Sequence, residues 1–136
     1  MPPATSRDFL KVALQRLTVA EAVCEILGFN LDAQYLGGYA VECSLKALIL
    51  EKTPSAERPE MLKKISSGAP MHRPELLLGK LKEYSVTLTA DLARKMRRFD
   101  WTTDLRYEVG RRDTGETRAL LRTAKAVYDW VEEQIP

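Results

Sequence analysis

The stretch AQYLGGYAVECSLKALILEK, residues 33–52, is apolar on nearly every side and reads as a buried helix. Two features sit badly in it. Gly37 and Gly38 are adjacent, and each glycine costs a helix interior roughly 1 kcal/mol relative to alanine. Glu42 is a carboxylate near the middle, and a buried charge without a partner costs more still. On a helical wheel Gly38, Glu42 and Lys46 form one row at spacing four, with Tyr35 and Tyr39 beside it. Leu36, Ala40, Cys43, Ala47 and Leu50 form an apolar row. Glu42 ahead of Lys46 is the favourable i,i+4 order, worth about 0.2–0.5 kcal/mol when exposed. Two readings are open. The strip faces solvent and the pair is ordinary surface, or the glycines let another helix approach closely and Glu42 receives an arginine from it.

Working outward, Thr5 and Ser6 are N-cap candidates for a first helix with Phe9, Leu10, Ala13, Leu17, Ala20, Val23 and Leu27 on its apolar face, stopped by Gly28. The second helix runs from about Leu31 to Lys52, with Pro54 just beyond. Residues 53–73 read as a long connection, rich in proline, with one short helical turn around Met61–Ile65. Pro74 suits the first turn of a third helix carrying Leu77, Leu78 and Leu81. Thr89 caps a fourth, and WTTDLRYEVGRRDTG (101–115) is less regular. A last helix from about Thr114 to Gln134 places Leu120, Leu121, Ala124, Val127, Tyr128 and Val131 on one broad face. No segment alternates with period two. The spacing predicts an all-α, antiparallel up-and-down bundle of four or five helices in a single domain spanning residues 1–136.

With 136 residues, 45% hydrophobic and 29% charged, the chain has enough apolar content for its own core. A net charge of +2 does not by itself argue for nucleic acid. No apolar run reaches the roughly 20 residues that span a bilayer. The start, MPPATSRDFLK, lacks a signal-peptide core, so the expected compartment is the cytoplasm. Cys24 and Cys43 fall on either side of the turn near Phe29, about 13 Å apart along a helical hairpin by the 1.5 Å rise per residue. A disulfide tolerates Cα separations of only about 4.4–6.8 Å, so both are expected as free, buried thiols.

The string YLGGYAVECSLKALI (35–49) resembles the second helix of HEPN domains (higher eukaryotes and prokaryotes nucleotide-binding), in which GYAVECxLKA recurs. His72 followed by ELLLGKL, the later WTTDLRYEVG, and the closing ETRALLRTAKAVYDWVEEQI are similar to the family's downstream segments. The likeness runs from Phe9 to Ile135. It implies an up-and-down helical bundle, usually dimeric, and it implies that Glu42 faces Arg106 of the LRY segment. Arginine suits such a pair because its planar fork can meet a carboxylate with two hydrogen bonds.

Many HEPN proteins are metal-independent ribonucleases with an arginine followed, after four to six residues, by a histidine. Counted from Arg106, those positions hold Arg111, Arg112 and Asp113. The chain's one histidine, His72, precedes them and is expected to cap or pack at a helix start. Arginine keeps its proton at neutral pH and cannot replace histidine as a base. Metal-ligand spacing is absent and so is a glycine-rich phosphate loop, so no metal, cofactor or catalytic residue is expected. Residues 94–112 hold seven lysines and arginines against Asp100, Asp104 and Glu108, with Phe99, Trp101 and Tyr107 interleaved. Cations with aromatics suit phosphate contact and base stacking, although a solvated helix face followed by core aromatics has the same composition.

The resulting expectation is a non-catalytic or degenerate HEPN module. Arg106, Tyr107, Arg111 and Arg112 would contact nucleotide or RNA, with Glu42 and Lys46 orienting Arg106. The resemblance implies a homodimer and a minimal nucleotidyltransferase partner in a toxin–antitoxin or defence system. The alternatives are an endoribonuclease toxin and a purely structural interaction bundle.

Overall fold

Thr5 starts the first helix through a reciprocal cap. Its side chain accepts from the Asp8 backbone N–H at 3.1 Å, and the Asp8 carboxylate accepts from the Thr5 N–H at 3.2 Å. The computed structural model describes residues 2–99 and 101–136, and the side chains of residues 69, 70, 103 and 106 lie outside that description. Helix α1 covers Ser6–Ala22 and buries Phe9, Leu10, Ala13, Leu17 and Ala20, as the sequence spacing predicts. Its last turn, Val23–Leu27, widens to π geometry before Gly28, whose φ of 69° ends the run. The wider turn shifts the register. Cys24 turns inward with Val23 packed half-buried beside it, whereas Leu27, expected on the apolar face, is exposed together with Ile26.

Helix α2, Asn30–Lys52, is the axis of the fold. It packs on α1, on α4 (Pro74–Lys82) and on α6 (Thr114–Glu132), which is why it is apolar nearly all round. Leu45, Leu48 and Ile49 are fully buried at its centre, where Leu17, Leu77, Leu81, Val127 and Val131 meet them in one core. In the connection the expected single turn is a helix of two turns, α3, Arg58–Ile65, with Pro59 in its first turn and Met61 and Ile65 buried. Helix α5, Ala90–Arg97, begins at Thr89, whose side chain accepts from the Leu92 N–H. Short 3-10 turns lie at Ser55–Glu57, Ala69–His72 and Thr103–Tyr107.

Six α-helices and no strand are present among the described residues, an all-α bundle in which α3 is the additional short member. Cys24 and Cys43 are free and buried, as the axial offset requires. None of the helices is long and apolar enough to cross a membrane among the described residues.

Candidate functional site

The two glycines of α2 face two different neighbours. A Cβ at Gly37 would lie 2.6 Å from Leu121 Cδ2 and 2.9 Å from Leu120 Cδ2, so leucine side chains of α6 fill the space beside this glycine. At Gly38 a Cβ would overlap the indole of Trp101, a side chain from the irregular segment rather than from a helix. Trp101 is buried, and its Nε1 donates to the Tyr35 carbonyl at 3.2 Å. The expectation of close approach therefore holds for a helix at one glycine and for an aromatic ring at the next.

The polar strip beyond Gly38 is interior, so the solvent-facing reading is set aside. Glu42 is 3% exposed and Lys46 4% exposed. Lys46 Nζ donates to Glu42 Oε2 at 2.8 Å, and His72 Nδ1 reaches the same oxygen at 3.0 Å. A carboxylate can only accept, so Nδ1 carries a proton, and in the neutral form of the ring Nε2 is the acceptor nitrogen. The His72 side chain is 40% exposed, so the buried carboxylate has a half-open imidazole above it. His72 thus packs on Glu42, and no side chain caps α4 among the described residues. Glu42 Oε1 is buried and meets no hydrogen-bond donor among the described residues. The side chain of Arg106, named as its partner from the resemblance, lies outside the described residues.

Burial also governs the neighbouring thiol. Desolvation, with the Glu42 charge beside it, pushes the Cys43 thiol up to about 12, so it is a packing group and no nucleophile.

A separate feature opens between α5 and α6. Glu116, Ala119, Leu120 and Thr123 recur at helical spacing along one face of α6, and α5 supplies Asp91, Arg94 and Lys95, with Arg98 and Phe99 following its end. They enclose a groove of about 630 Å³, floored from α2 by Gln34 and rimmed by Arg112 and Arg122. Five cations stand against two carboxylates. Asp91 is already held by Arg94 and Lys95, which keep its carboxyl below the usual range, and Arg112 is paired with Glu108. Arg98 and Arg122 meet no carboxylate among the described residues. Their charge is available to an anion.

A family model of the HEPN domain matches residues 6–134. The chain belongs to the HEPN family. No curated protein and no solved structure matches it. The helical bundle of this HEPN domain agrees with that membership, and nucleotide- or RNA-related work is the general function it supports.

Of the residues that the sequence of this HEPN domain points to, Arg112 lines the groove. Arg111 is exposed nearby and Tyr107 is 76% exposed on the turn Thr103–Tyr107. Glu42 and Lys46 lie in their own buried cluster with His72 and do not line the groove. Gln34, Arg122 and Thr123 are additions from the structure. Gln34 carries a usable signal, since it is a polar residue inside the same apolar stretch that holds Glu42. Arg122 and Thr123 carry none, because a lone cation and a threonine on an amphipathic helix are ordinary.

Proposed function

We propose that this chain is a degenerate HEPN module that binds a nucleotide or a short segment of RNA through its phosphates, in the groove between α5 and α6. The observation that carries this reading is the groove's cation surplus, with Arg98 and Arg122 free of carboxylates among the described residues and set beside the half-buried ring of Phe99. Phosphate oxygens would take the rim arginines, and a base would stack on the aromatic wall. Arg111 and Tyr107, both exposed in the loop that leads to Arg112, would add contacts to the ligand. Glu42 and Lys46 act at one remove, holding the surface of α2 on which the turn containing Arg106 packs.

The test is equilibrium binding of a labelled short RNA across a salt series, with Arg98→Glu/Arg122→Glu as the comparison. Affinity should fall steeply with salt in the wild type, and the double variant should bind weakly with a flatter slope. Binding that ignores both salt and the variant would sink the proposal.

A metal-independent ribonuclease is the second reading, and one observation favours it. Glu42 orients the half-exposed ring of His72 through Nδ1, so that in its neutral form Nε2 would be the free acceptor, the arrangement of an oriented general base. RNA incubated with chelator and wild type, His72→Ala or Arg106→Ala decides it. Cleavage that survives chelation and disappears in both variants establishes the enzyme, whereas intact RNA in all three rules it out.

Self-association and pairing with a minimal nucleotidyltransferase belong to the same proposal. Ile26, Leu27 and Phe29 stand exposed at the end of α1 and supply an apolar surface for a partner. Light scattering of the isolated protein, alone and with such an enzyme, tests it: a monomer under both conditions would remove this part.

A further inference from the structure

The floor of the groove carries information that a phosphate site does not need. Gln34 is 5% exposed and Thr123 8% exposed, so both are nine-tenths buried and still line the open space. Gln34 Nε2 donates to Thr117 Oγ1 at 3.0 Å. The amide orientation follows from the next link in the chain. Thr117 Oγ1 sits 2.8 Å from the Asp113 carbonyl, which can only accept, so the hydroxyl proton of Thr117 is used there. Thr117 is left with acceptor capacity alone, and the group facing it must be the amide nitrogen of Gln34. The carbonyl Oε1 of Gln34 therefore points away from Thr117. It has no donor among the described residues, and it is not among the sealed buried atoms, so it reaches the groove. Thr123 Oγ1 is in the same position, without a partner among the described residues and open to the groove.

We infer that Gln34 and Thr123 form a nucleobase-edge subsite. In it Gln34 Oε1 accepts an N–H of the base, and the Thr123 hydroxyl meets a neighbouring ring or carbonyl acceptor, while Arg98 and Arg122 hold the phosphate. The ligand class is then a nucleoside phosphate, free or as one residue of an RNA strand, and not a bare polyanion. The inference rests on the phosphate-binding reading and deepens it. A buried acceptor is costly to desolvate without a donor, so a ligand lacking that N–H is penalised where one bearing it is not. Phe99 and Leu120 add an aromatic ring and an aliphatic side chain to the lining, and the groove's volume falls in the range of roughly 300–1,000 Å³ usual for ligand clefts.

The experiment compares three probes by calorimetry at low salt: adenosine 5′-monophosphate, purine riboside 5′-monophosphate, which lacks the exocyclic amine, and ribose 5-phosphate, which lacks the base. The adenine nucleotide should bind roughly tenfold tighter than the purine analogue, with the sugar phosphate weakest. In Gln34→Leu that ratio should fall to about one, with the analogue binding no more weakly than it does to the wild type, because the acceptor it left unpaired is gone. Should Gln34→Leu fold poorly, Thr123→Val takes its place: it removes a donor to a ring acceptor that both bases carry, so it should weaken the adenine nucleotide and its purine analogue alike while ribose 5-phosphate is unchanged. Equal binding of all three probes, abolished in Arg98→Glu, overturns the base subsite and leaves the phosphate reading intact. No binding of any probe overturns both. Short oligoadenylate in parallel separates the two sources: tighter binding than the mononucleotide assigns the site to a strand, and equal binding to free nucleotide.

Discussion

The indole of Trp101 occupies the space that any side chain at position 38 would need, and its Nε1 is tied to the backbone of the same helix at Tyr35. Gly38 is therefore a seat for a ring. Its helix-propensity cost is offset by the burial of one of the largest apolar side chains and by a satisfied indole N–H.

Gly38→Ala should expel or tilt that ring and cost about 2–3 kcal/mol, with a fall in melting temperature of about 5–10 °C. Gly37→Ala should cost less, because the atoms it meets are the methyl ends of Leu120 and Leu121, which can rotate away. Thermal melts with tryptophan fluorescence read both effects. Equal costs at the two positions would contradict the difference in their neighbours.

Glu42→Gln should be more damaging than its shape suggests. It leaves the Lys46 ammonium buried with no opposite charge, at a cost of about 3 kcal/mol or more. The paired change Glu42→Leu/Lys46→Met removes both charges and should recover most of that stability. Urea denaturation of the three proteins checks it, and a double variant no better than the single would show that the pair is not a closed unit.

Cys43 gives the protein an alkaline stability limit. Its folded thiol titrates near 12 where an ordinary thiol titrates near 9.0. The folded state therefore holds a proton that the unfolded chain has released between those values. Stability from this group is complete below pH 9.0 and falls above it, at up to about 1.4 kcal/mol per pH unit. Cys43→Ala should remove that component of the slope in urea melts run from neutral to strongly alkaline pH. The same burial predicts that a thiol reagent labels Cys43 only after unfolding.

Arg98→Gln and Arg122→Gln should each weaken RNA binding. Each should also flatten the dependence of log K on log salt by about 0.7 for every phosphate that is no longer neutralised. Arg111→Gln, on the exposed edge, should do less. Filter binding at several ionic strengths separates the three, and identical slopes in all variants would place the phosphates elsewhere.

The bundle was legible because its signals are local. The cap at Thr5, Gly28 past the first helix, Pro74 in a first turn and the breadth of apolar surface on α2 each name a structure within a few residues. The π turn at Val23–Leu27 was hidden, since its residues suit an α-helix and nothing in their spacing marks the extra width. At the site, the sequence marked Glu42 as anomalous but not its company. Lys46 is near in sequence, whereas His72 arrives from 30 residues away through a 3-10 turn whose path no periodicity encodes. Gln34 and Thr123 are joined only by the packing of α2 on α6, a tertiary fact.

Asn30 Nδ2 donates to the Arg112 carbonyl and to Thr114 Oγ1, each at 2.9 Å, so the start of α2 grips the start of α6. With Trp101 seated at Gly38, the irregular segment is fastened to one helix at both of its ends. Between the fastenings, Val109 is 96% exposed and Gly110 adopts a φ of 117°. The outer part of this loop is thus free to change length without disturbing what lies at either anchor, since doubling a flexible loop adds only about 0.6 kcal/mol of closure entropy. Evolution, or an engineer inserting a label at Val109–Gly110, can rewrite the tip while the arginine rim keeps its address on the bundle.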